Sequence, residues 1–326
     1  MEISIIIPVY NRASVVISTL QTVLGQTHRP LQVVLVDNDS TDNSLQVLQD
    51  FKRFNEKPDL EIIITNEAHH TAGAARTRGL EHSTGNWIMF FDSDDLMDRE
   101  LVARYAQIIE KAKKKGRQLD LISARSTLVF PDGQGRQAPF HKKDLFANHI
   151  LHGQLATQRY AIRREFYDST DGWNINLPGW NDWELGLRLL LANPHVAFLG
   201  GKPHIIINHN GADSITGTEF HSRQGQWEHV IDIMINEVRC SRLKNKHKQR
   251  FERLLEYRRL VLAAQYQREG RPDLAKPLCK RAYQALAQTY HENSKWRWIV
   301  APVTRRLFTR IAAGKRGSAR IARLLY

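Results

Sequence analysis

The first 120 residues alternate short apolar runs with longer amphipathic stretches. The first run covers residues 3–9 and is ended by Pro8 and Asn11. Such a run is typical of a strand buried on both faces of a parallel sheet. Three further runs predict strands of the same kind, over residues 31–36, 61–65 and 87–91. These four runs predict the strands of one sheet.

Between these runs, apolar residues recur at helical spacing. The first predicted helix has an apolar face made of Val16, Leu20, Val23 and Leu24. A second is predicted to be capped by Thr41 and to bury Leu45, Val47, Leu48 and Phe51, and two more are predicted over 72–82 and 100–115. The order βαβαβαβα predicts a mostly parallel sheet with right-handed crossovers, which binds ligands at the carboxyl ends of its strands.

The pattern changes after residue 119. A run over 119–130 is followed by the turn Pro131-Asp132-Gly133, which predicts a hairpin and a mixed α+β region to about residue 213. From about Glu228 the chain is predicted to be helical, and residues 251–290 form two helices broken at Gly270-Arg271-Pro272, resembling one tetratricopeptide unit. A single unit cannot bury its own face, so we expect it to pack on the N-terminal domain or on a partner.

Composition is that of a globular protein, with 42% hydrophobic and 25% charged residues. No apolar run approaches the roughly 20 residues that span a bilayer, and the start of the chain lacks a basic leader with a cleavage site. The expected location is therefore cytoplasmic. Cys240 and Cys279 have no metal-binding or redox spacing.

Positive charge is concentrated at the C-terminal end. Residues 239–326 contain 23 Lys and Arg but only 5 Asp and Glu, whereas the whole chain has a net charge of +13. Residues 295–326 contain nine basic residues and no acidic one. Val303, Leu307 and Ile311 share a predicted helical face there, and Trp296 and Trp298 suit a membrane interface.

This composition predicts contact with an anionic membrane surface, at the inner face of the cell membrane. Nucleic acid is not an expected partner, because the aromatic residues lie at the start of the basic segment instead of being interleaved with it.

Polar residues follow the predicted strands at the points where those strands end. They occupy residues 8–12 after the first strand, 37–42 after the second and 92–95 after the fourth. Carboxylates brought together at one sheet edge repel one another unless a cation lies among them. Mg²⁺ or Mn²⁺ bridging to phosphate oxygens would resolve that repulsion.

Five sequence blocks occur together in this order: Pro8-Val9-Tyr10-Asn11, residues 36–42, Ala75-Arg76-Thr77-Arg78-Gly79, residues 90–95, and Asn181-Asp182-Trp183-Glu184-Leu185. With these blocks, the first 215 residues resemble an inverting family-2 glycosyltransferase of the GT-A fold, of the bacterial polysaccharide or lipopolysaccharide type. The resemblance implies an α/β GT-A domain over residues 1–227, with a nucleotide-binding half at 1–118 and an acceptor half at 119–227. A basic helical extension would occupy residues 228–326.

The resemblance also implies roles for single residues in binding a UDP-sugar. Asp37 would accept a hydrogen bond from the uracil N–H, and Arg76, opening a helix, would reach the base or diphosphate. Asp94 would ligate the metal, Asp92 would contact the ribose or the metal, and His209 would lie near the diphosphate or metal. The remaining residues expected at the nucleotide are Pro8, Tyr10, Asn11 and Ser93.

Asp182 is the expected general base. It would take the proton of an acceptor hydroxyl while the anomeric carbon is attacked opposite the leaving nucleotide diphosphate. The family usually has Glu-Asp at this position, whereas this chain has Asn181-Asp182. Asn181, Trp180 and Trp183 would contact the acceptor, which we expect to be a glycan or a lipid-linked glycan.

Two other classes of protein compete with this interpretation. Sugar-1-phosphate nucleotidyltransferases share a nucleotide-binding α/β sheet, but they need a glycine-rich loop after the first strand, and residues 8–12 contain no glycine. The second is an inactive GT-A-like module that binds partners through its basic helices.

Overall fold

The computed structural model of the protein describes residues 2–208, 219–290 and 296–326. The chain divides into two compact units. One comprises residues 1–142 and 155–211, and the other comprises residues 143–154 and 212–326. The predicted boundary at residue 227, between a GT-A domain and a helical extension, stays a prediction.

The strands of the described residues all belong to the first unit. They are β1 (Ile3–Val9), β2 (Leu31–Asp37), β3 (Leu60–Asn66), β4 (Trp87–Phe90), β5 (Leu96–Met97), β6 (Leu121–Ser123), β7 (Ser126–Val129), β8 (Gly135–Gln137), β9 (Tyr160–Arg163), β10 (Val196–Phe198) and β11 (Ile205–Asn208).

The helices fall in both units. Those of the first unit are α1 (Val16–Leu24), α2 (Ser44–Asn55), α3 (Ala72–Glu81), α4 (Leu101–Lys114), α6 (Arg164–Asp168) and α7 (Asn181–Leu191). Those of the second are α5 (Leu145–His152), α8 (Gln226–Cys240), α9 (Asn245–Arg268), α10 (Pro272–Thr289), α11 (Ala301–Ala312) and α12 (Ser318–Leu325).

The main sheet has seven strands in the order β10-β6-β9-β4-β1-β2-β3. The four neighbours β4, β1, β2 and β3 are parallel, and β9 is antiparallel to both β4 and β6. Val9 pairs with Asp37, and Phe91 donates its N–H to Ile6 just beyond β4. The predicted mostly parallel α/β sheet is confirmed, and the polar residues that follow β1, β2 and β4 lie at one edge of it.

Two local predictions about helix starts were wrong. Thr41 does not cap α2, which begins at Ser44 without a side-chain cap; the Thr41 hydroxyl instead donates to Asn11 Oδ1 at 3.3 Å. Arg76 does not open a helix but is the fifth residue of α3, whose N-cap Thr71 accepts a hydrogen bond from the Ala74 N–H.

The sheet is buried between helices. Leu20 of α1, Leu48 of α2 and Val102 of α4 pack into one core with the apolar residues of β1 and β2. On α3, a Cβ at Gly79 would lie 2.4 Å from the side chain of Ile6 and 2.9 Å from that of Val36. Glycine therefore allows α3 to approach β1 and β2 closely, and this approach fixes the height of Arg76 above the strand ends.

A smaller sheet has the order β5-β11-β7-β8. The predicted turn at Pro131-Asp132-Gly133 joins β7 to β8 as an antiparallel hairpin. Strand β11 is parallel to β7 and antiparallel to β5, which directly follows Asp95. This pairing brings Asn208, the last residue of β11, beside the acidic residues that follow β4.

The second unit is built around α9. Helices α9 and α10 form the predicted helical hairpin, and α9 also packs against α5, α8, α11 and α12. Phe146 of α5 stacks on Phe251 of α9 with ring centroids 4.6 Å apart, and Arg250 donates to both oxygens of Asp144. The hairpin is thus covered by helices of its own unit, where we had expected the N-terminal domain or a partner. Across the described residues, no helix has the length and apolar character needed to span a bilayer.

Candidate active site

Asp37 ends β2 and is nearly inaccessible, with 2% of its surface exposed. Its Oδ2 atom accepts a hydrogen bond from the Ser40 N–H at 3.3 Å. Its Oδ1 atom is buried and has no hydrogen-bond partner among the described residues. A buried acceptor without a partner is costly, so the site offers one oxygen to an N–H of a ligand.

The loop after β1 lies beside Asp37. Pro8 is partly buried, whereas Tyr10 is 49% exposed and meets the His70 ring edge-to-face at 5.9 Å. Asn11 has a positive φ of 50° and uses its side-chain oxygen to accept from the N–H groups of Thr41 and Asp42. Asn11 therefore joins the loops after β1 and β2, a contact that orders the edge of the proposed nucleotide pocket.

The acidic turn after β4 presents its residues alternately. Asp92 and Asp94 are partly exposed, whereas Ser93 and Asp95 are buried. The two partly exposed carboxylates are close enough to interact, because the charge of Asp92 raises the pKa of Asp94. The roles predicted for Asp92 and Asp94 stay predictions.

Arg76 is held over this turn by two contacts. Its Nη2 atom donates to Asp92 Oδ1 at 2.6 Å, and its guanidinium carbon lies 4.6 Å from the centroid of the Trp173 ring. Its Nε and Nη1 atoms are buried without a hydrogen-bond partner among the described residues. A cation fixed in this way, with donors to spare, is suited to oxygens of a diphosphate.

Burial and mutual repulsion change the acidity of the turn. Burial, with the neighbouring charge of Asp92, raises the pKa of Asp94 to about 6, against an opposing effect of Arg12. Burial also raises the pKa of Asp95 well above its ordinary value, and Asp92 and Asp94 add to the rise. A cation bound among these carboxylates would relieve their mutual repulsion.

Two residues that sequence reasoning missed hold the turn in place. The Gln158 side-chain amide donates to both Asp92 Oδ2 and Asp95 Oδ2. The Asn208 N–H donates to Asp95 Oδ1 at 2.8 Å, and its side chain donates to the Asp94 carbonyl. Neither residue belongs to a recognisable motif, and only the fold brings them here.

Asp182 is the second residue of α7 and is partly buried. Burial raises its pKa above the ordinary value, while Arg76 opposes the rise and Asp92 adds to it. The structure thus brings Asp182 into the electrostatic range of the acidic turn, across 90 residues of sequence. A raised pKa suits a general base that works near neutral pH.

The aromatic residues near Asp182 differ in exposure. Trp173 and Trp183 are buried, and Trp180 is partly exposed with a positive φ of 54°. The rings of Trp180 and Trp183 meet edge-to-face at 5.4 Å. Asn181 is buried and its side-chain oxygen accepts from the Asp182 N–H at 3.0 Å, so it orients the α7 terminus. Of the residues expected at the acceptor, Trp180 is the one with an accessible face.

The described residues contain no group of three or more His, Cys, Asp or Glu side chains placed to hold a metal. His209, expected near the metal, lies outside the described residues. Asp94 and Asp92 nevertheless suit a hard ion: they are two partly exposed carboxylates of one turn, and the charge of Asp92 raises the pKa of Asp94. Mg²⁺ and Mn²⁺ accept one or two such carboxylates and complete their shells with phosphate oxygens and water.

The mostly parallel sheet and its flanking helices have the architecture of the GT-A fold. Residues 4–146 match the family model described as glycosyl transferase family 2, so the chain contains a domain of that family. An uncharacterized glycosyltransferase of Nostoc sp. is 29% identical over 206 residues, which is 61% of this chain and 61% of that protein. The match therefore covers less than two thirds of this relative's length.

Solved structures share the fold across almost the whole chain. The S. aureus protein TarS, residues 1–349 in complex with UDP-GlcNAc, superposes with a TM-score of 0.69 at 18% identity, covering 99% of this chain and 91% of that one. A mannosyltransferase from Pyrobaculum calidifontis in complex with GDP-Man and Mn²⁺ gives 0.58 at 15% identity, covering 99% and 86%. The predicted GT-A fold with a helical C-terminal region is confirmed.

Proposed function

We propose that the protein transfers a sugar from a UDP-sugar to a hydroxyl of a glycan or lipid-linked glycan, with inversion at the anomeric carbon. The observation that carries this proposal is the buried guanidinium of Arg76. It is fixed by Asp92 and Trp173 and keeps two N–H donors without partners among the described residues. Such a group is an anion-binding site beside an acidic turn, an arrangement suited to a nucleotide diphosphate with its metal ion.

The free oxygen of Asp37 supports uracil as the base. Its Oδ2 atom accepts a hydrogen bond from Ser40, so Oδ1 is the oxygen of this carboxylate without a partner among the described residues. The uracil edge offers one ring N–H, whereas the guanine edge offers a ring N–H and an amino group that pair best with both oxygens of a carboxylate. We therefore propose UDP over GDP, with Pro8 and Tyr10 flanking the base.

Proton transfer is assigned to Asp182. Its carboxylate takes the proton of the acceptor hydroxyl as that oxygen forms a bond to the anomeric carbon, and the bond from this carbon to the diphosphate oxygen breaks on the opposite face. Arg76 stabilises the negative charge that develops on the departing diphosphate. A divalent ion held by Asp94 and Asp92 would supply further charge neutralisation at the same oxygens.

The acceptor side rests on Trp180 and the α7 terminus. Trp180 is partly exposed, and one face of an indole ring is a suitable platform for the C–H face of a sugar. We propose that this ring orients the acceptor hydroxyl toward Asp182, two residues further along the chain.

The test is release of UDP from a panel of UDP-sugars and GDP-mannose with Mn²⁺, with and without oligosaccharide and lipid-linked acceptors. Acceptor-stimulated release of UDP, and not of GDP, is the expected result. Binding of UDP without turnover on any donor would instead support an inactive GT-A-like module. Release of a sugar 1-phosphate with UTP formation from added pyrophosphate would assign the protein to the nucleotidyltransferases.

A further inference from the structure

The outer side of the last two helices is a second surface with a recognisable chemistry. Helices α11 and α12 form a hairpin in the second unit, since Thr304, near the start of α11, bonds to the hydroxyl of Tyr326, just after α12. The inner side of this hairpin packs on α9. The Tyr257 hydroxyl of α9 donates a hydrogen bond to Ser318 Oγ at 2.9 Å, and the Tyr257 ring contacts the Tyr326 ring. The outer side is therefore the side away from α9.

This packing changes which residues of α11 are accessible. The sequence placed Val303, Leu307 and Ile311 on a lipid-facing side, but Leu307 is 1% exposed and the other two are partly buried. That face is used against α9. The prediction that this face of α11 lies against the membrane was therefore wrong. The basic character of the segment is unchanged.

Apolar side chains are exposed elsewhere in the same segment. Leu324 is 85% exposed and Trp298 is 81% exposed, the two highest values among the large hydrophobic residues that the structure describes. Ile299 and Ile321 are exposed as well. Of the ten exposed large hydrophobic residues in the described part of the chain, four thus lie within residues 298–324. Isolated exposed apolar residues need no explanation, but such a concentration indicates an interaction surface.

The cations around these residues are not paired with acids. Six basic residues of the segment are exposed and have no ion pair to a carboxylate within the described part of the chain: Arg305, Arg306, Arg310, Lys315, Arg316 and Arg320. By contrast, Arg323 is partly buried and pairs with Asp144. The segment contains no acidic residue that could neutralise the positive charge of these six residues.

We propose that this outer side, defined by Trp298, Ile299, Ile321, Leu324 and the six exposed cations, docks on an anionic lipid bilayer. The cations match a negatively charged leaflet, and the exposed aliphatic and indole side chains match the boundary between headgroups and acyl chains. Nucleic acid would match the cations alone, because stacking on bases needs aromatic rings and three of the four apolar residues are aliphatic. The inference concerns a surface distinct from the strand-end site and does not depend on the transferase proposal.

Co-sedimentation of the full-length protein with vesicles tests this proposal. One set of vesicles contains equal parts phosphatidylglycerol and phosphatidylcholine, and the other contains phosphatidylcholine alone. We expect pelleting with the anionic vesicles only, and weaker pelleting as the salt concentration rises. Equal pelleting with both kinds of vesicle, or with neither, would overturn the proposal.

Substitutions separate charge from apolar insertion. The triple variant Arg306→Ala, Arg310→Ala, Arg320→Ala should weaken binding on the order of 100-fold, because each cation near an anionic surface contributes several-fold. The same three positions changed to Lys should bind as the native protein does, which reports charge and not folding. The matched control changes three exposed lysines next to one another on the first unit, Lys113, Lys114 and Lys115, to Ala and should bind normally.

Leu324→Ser should weaken binding about tenfold, since an exposed aliphatic side chain that would be buried in the bilayer is exchanged for a polar one. Phe54→Ser, at an apolar residue of the first unit that is 73% exposed, is the control and should have no effect. Loss of binding in the lysine control or in Phe54→Ser would contradict the assigned surface. Full competition by single-stranded DNA, with no effect of Leu324→Ser, would assign the surface to nucleic acid and overturn the proposal.

Discussion

Charged side chains are held in opposite ways in two regions of the molecule. At the strand ends of the first unit, Arg76, Asp92 and Asp95 are each bonded to a side chain or backbone group from a distant part of the sequence. On the outer side of the α11–α12 hairpin, the charges are exposed and lack carboxylate partners among the described residues. The first arrangement fixes positions, and the second leaves the charged groups accessible to solvent.

The difference indicates two kinds of binding. A small ligand whose atoms must be placed for a reaction needs pre-oriented groups, and their ordering is provided by the fold before the ligand arrives. A bilayer presents no fixed pattern, so accessible mobile cations serve it as well as ordered ones. Single substitutions should therefore have large effects in the first region and small effects in the second.

The largest effect is expected at Asp182. Because general-base catalysis typically contributes about 10²- to 10⁴-fold, Asp182→Asn should lower kcat by that order with donor affinity nearly unchanged. Asp171→Asn, at an exposed acid earlier in the same region, is the control. The anomeric configuration of the product, measured by NMR, should be inverted. Retention would contradict the role of Asp182 even if the variant were inactive.

Arg76→Ala should lower kcat/KM about 100-fold, since it removes a charged hydrogen-bond donor to the diphosphate and leaves Asp92 without its ion-pair partner. Arg78→Ala, on the same helix, removes a partly exposed arginine that pairs with Glu81 and should change kcat/KM less than twofold. Steady-state kinetics of the two variants makes the comparison. Equal losses in both would mean that α3 is perturbed as a whole and that Arg76 has no special role.

Activity should also depend on pH. Asp94, whose pKa is raised to about 6, and Asp182, whose pKa is also raised, act as ligand and base only when ionised. The pH profile of kcat/KM should therefore fall toward acid pH, about tenfold per unit where one carboxylate is protonated and about a hundredfold per unit where both are. A flat profile down to pH 4.5 would exclude both assignments.

The same raised pKa makes a prediction about stability. Asp94 binds its proton more tightly in the folded than in the unfolded protein, so its contribution to stability is greatest at low pH and is lost as the pH rises through about 6. Asp94→Asn should accordingly raise the unfolding temperature at pH 7.5 without ligand, and should have little effect at pH 4. Thermal unfolding at the two pH values measures this. A lower unfolding temperature at pH 7.5 would contradict it.

The smallest effect is expected in the basic segment. Arg306→Ala alone should weaken binding to anionic vesicles about fivefold, because one cation contributes roughly 1 kcal/mol near such a surface. It should leave turnover with a water-soluble acceptor unchanged. A loss as large as that of the triple variant would show that Arg306 is a specific ligand of one lipid, and would break the contrast with the strand-end site.

The strands of the parallel sheet could be predicted almost to the residue, because burial on both faces leaves an uninterrupted apolar run such as Ile3–Val9. Strands of two to four residues, including β5 and β10, carry no such signal. The acidic turn could be found as a motif. Gln158 and Asn208 could not, because their contacts depend on strand pairings that join residues far apart in sequence.

Thr41 shows a further limit of prediction from the sequence. It has the residue type of a helix cap, but its backbone N–H and its hydroxyl both donate to Asn11 of another loop, so a tertiary contact overrides the local preference. Leu307 gives the same lesson in the second unit, where its amphipathic pattern was interpreted as lipid-facing although α9 covers it.

Calorimetric titration of UDP tests the central claim, that the strand-end site binds a nucleotide diphosphate together with a divalent ion. The native protein should bind UDP more tightly with Mn²⁺ than with EDTA, and Asp94→Ala should bind equally weakly in both. UDP affinity in the native protein that is unchanged by EDTA, or an Asp94→Ala variant that keeps the full effect of Mn²⁺, would contradict the account.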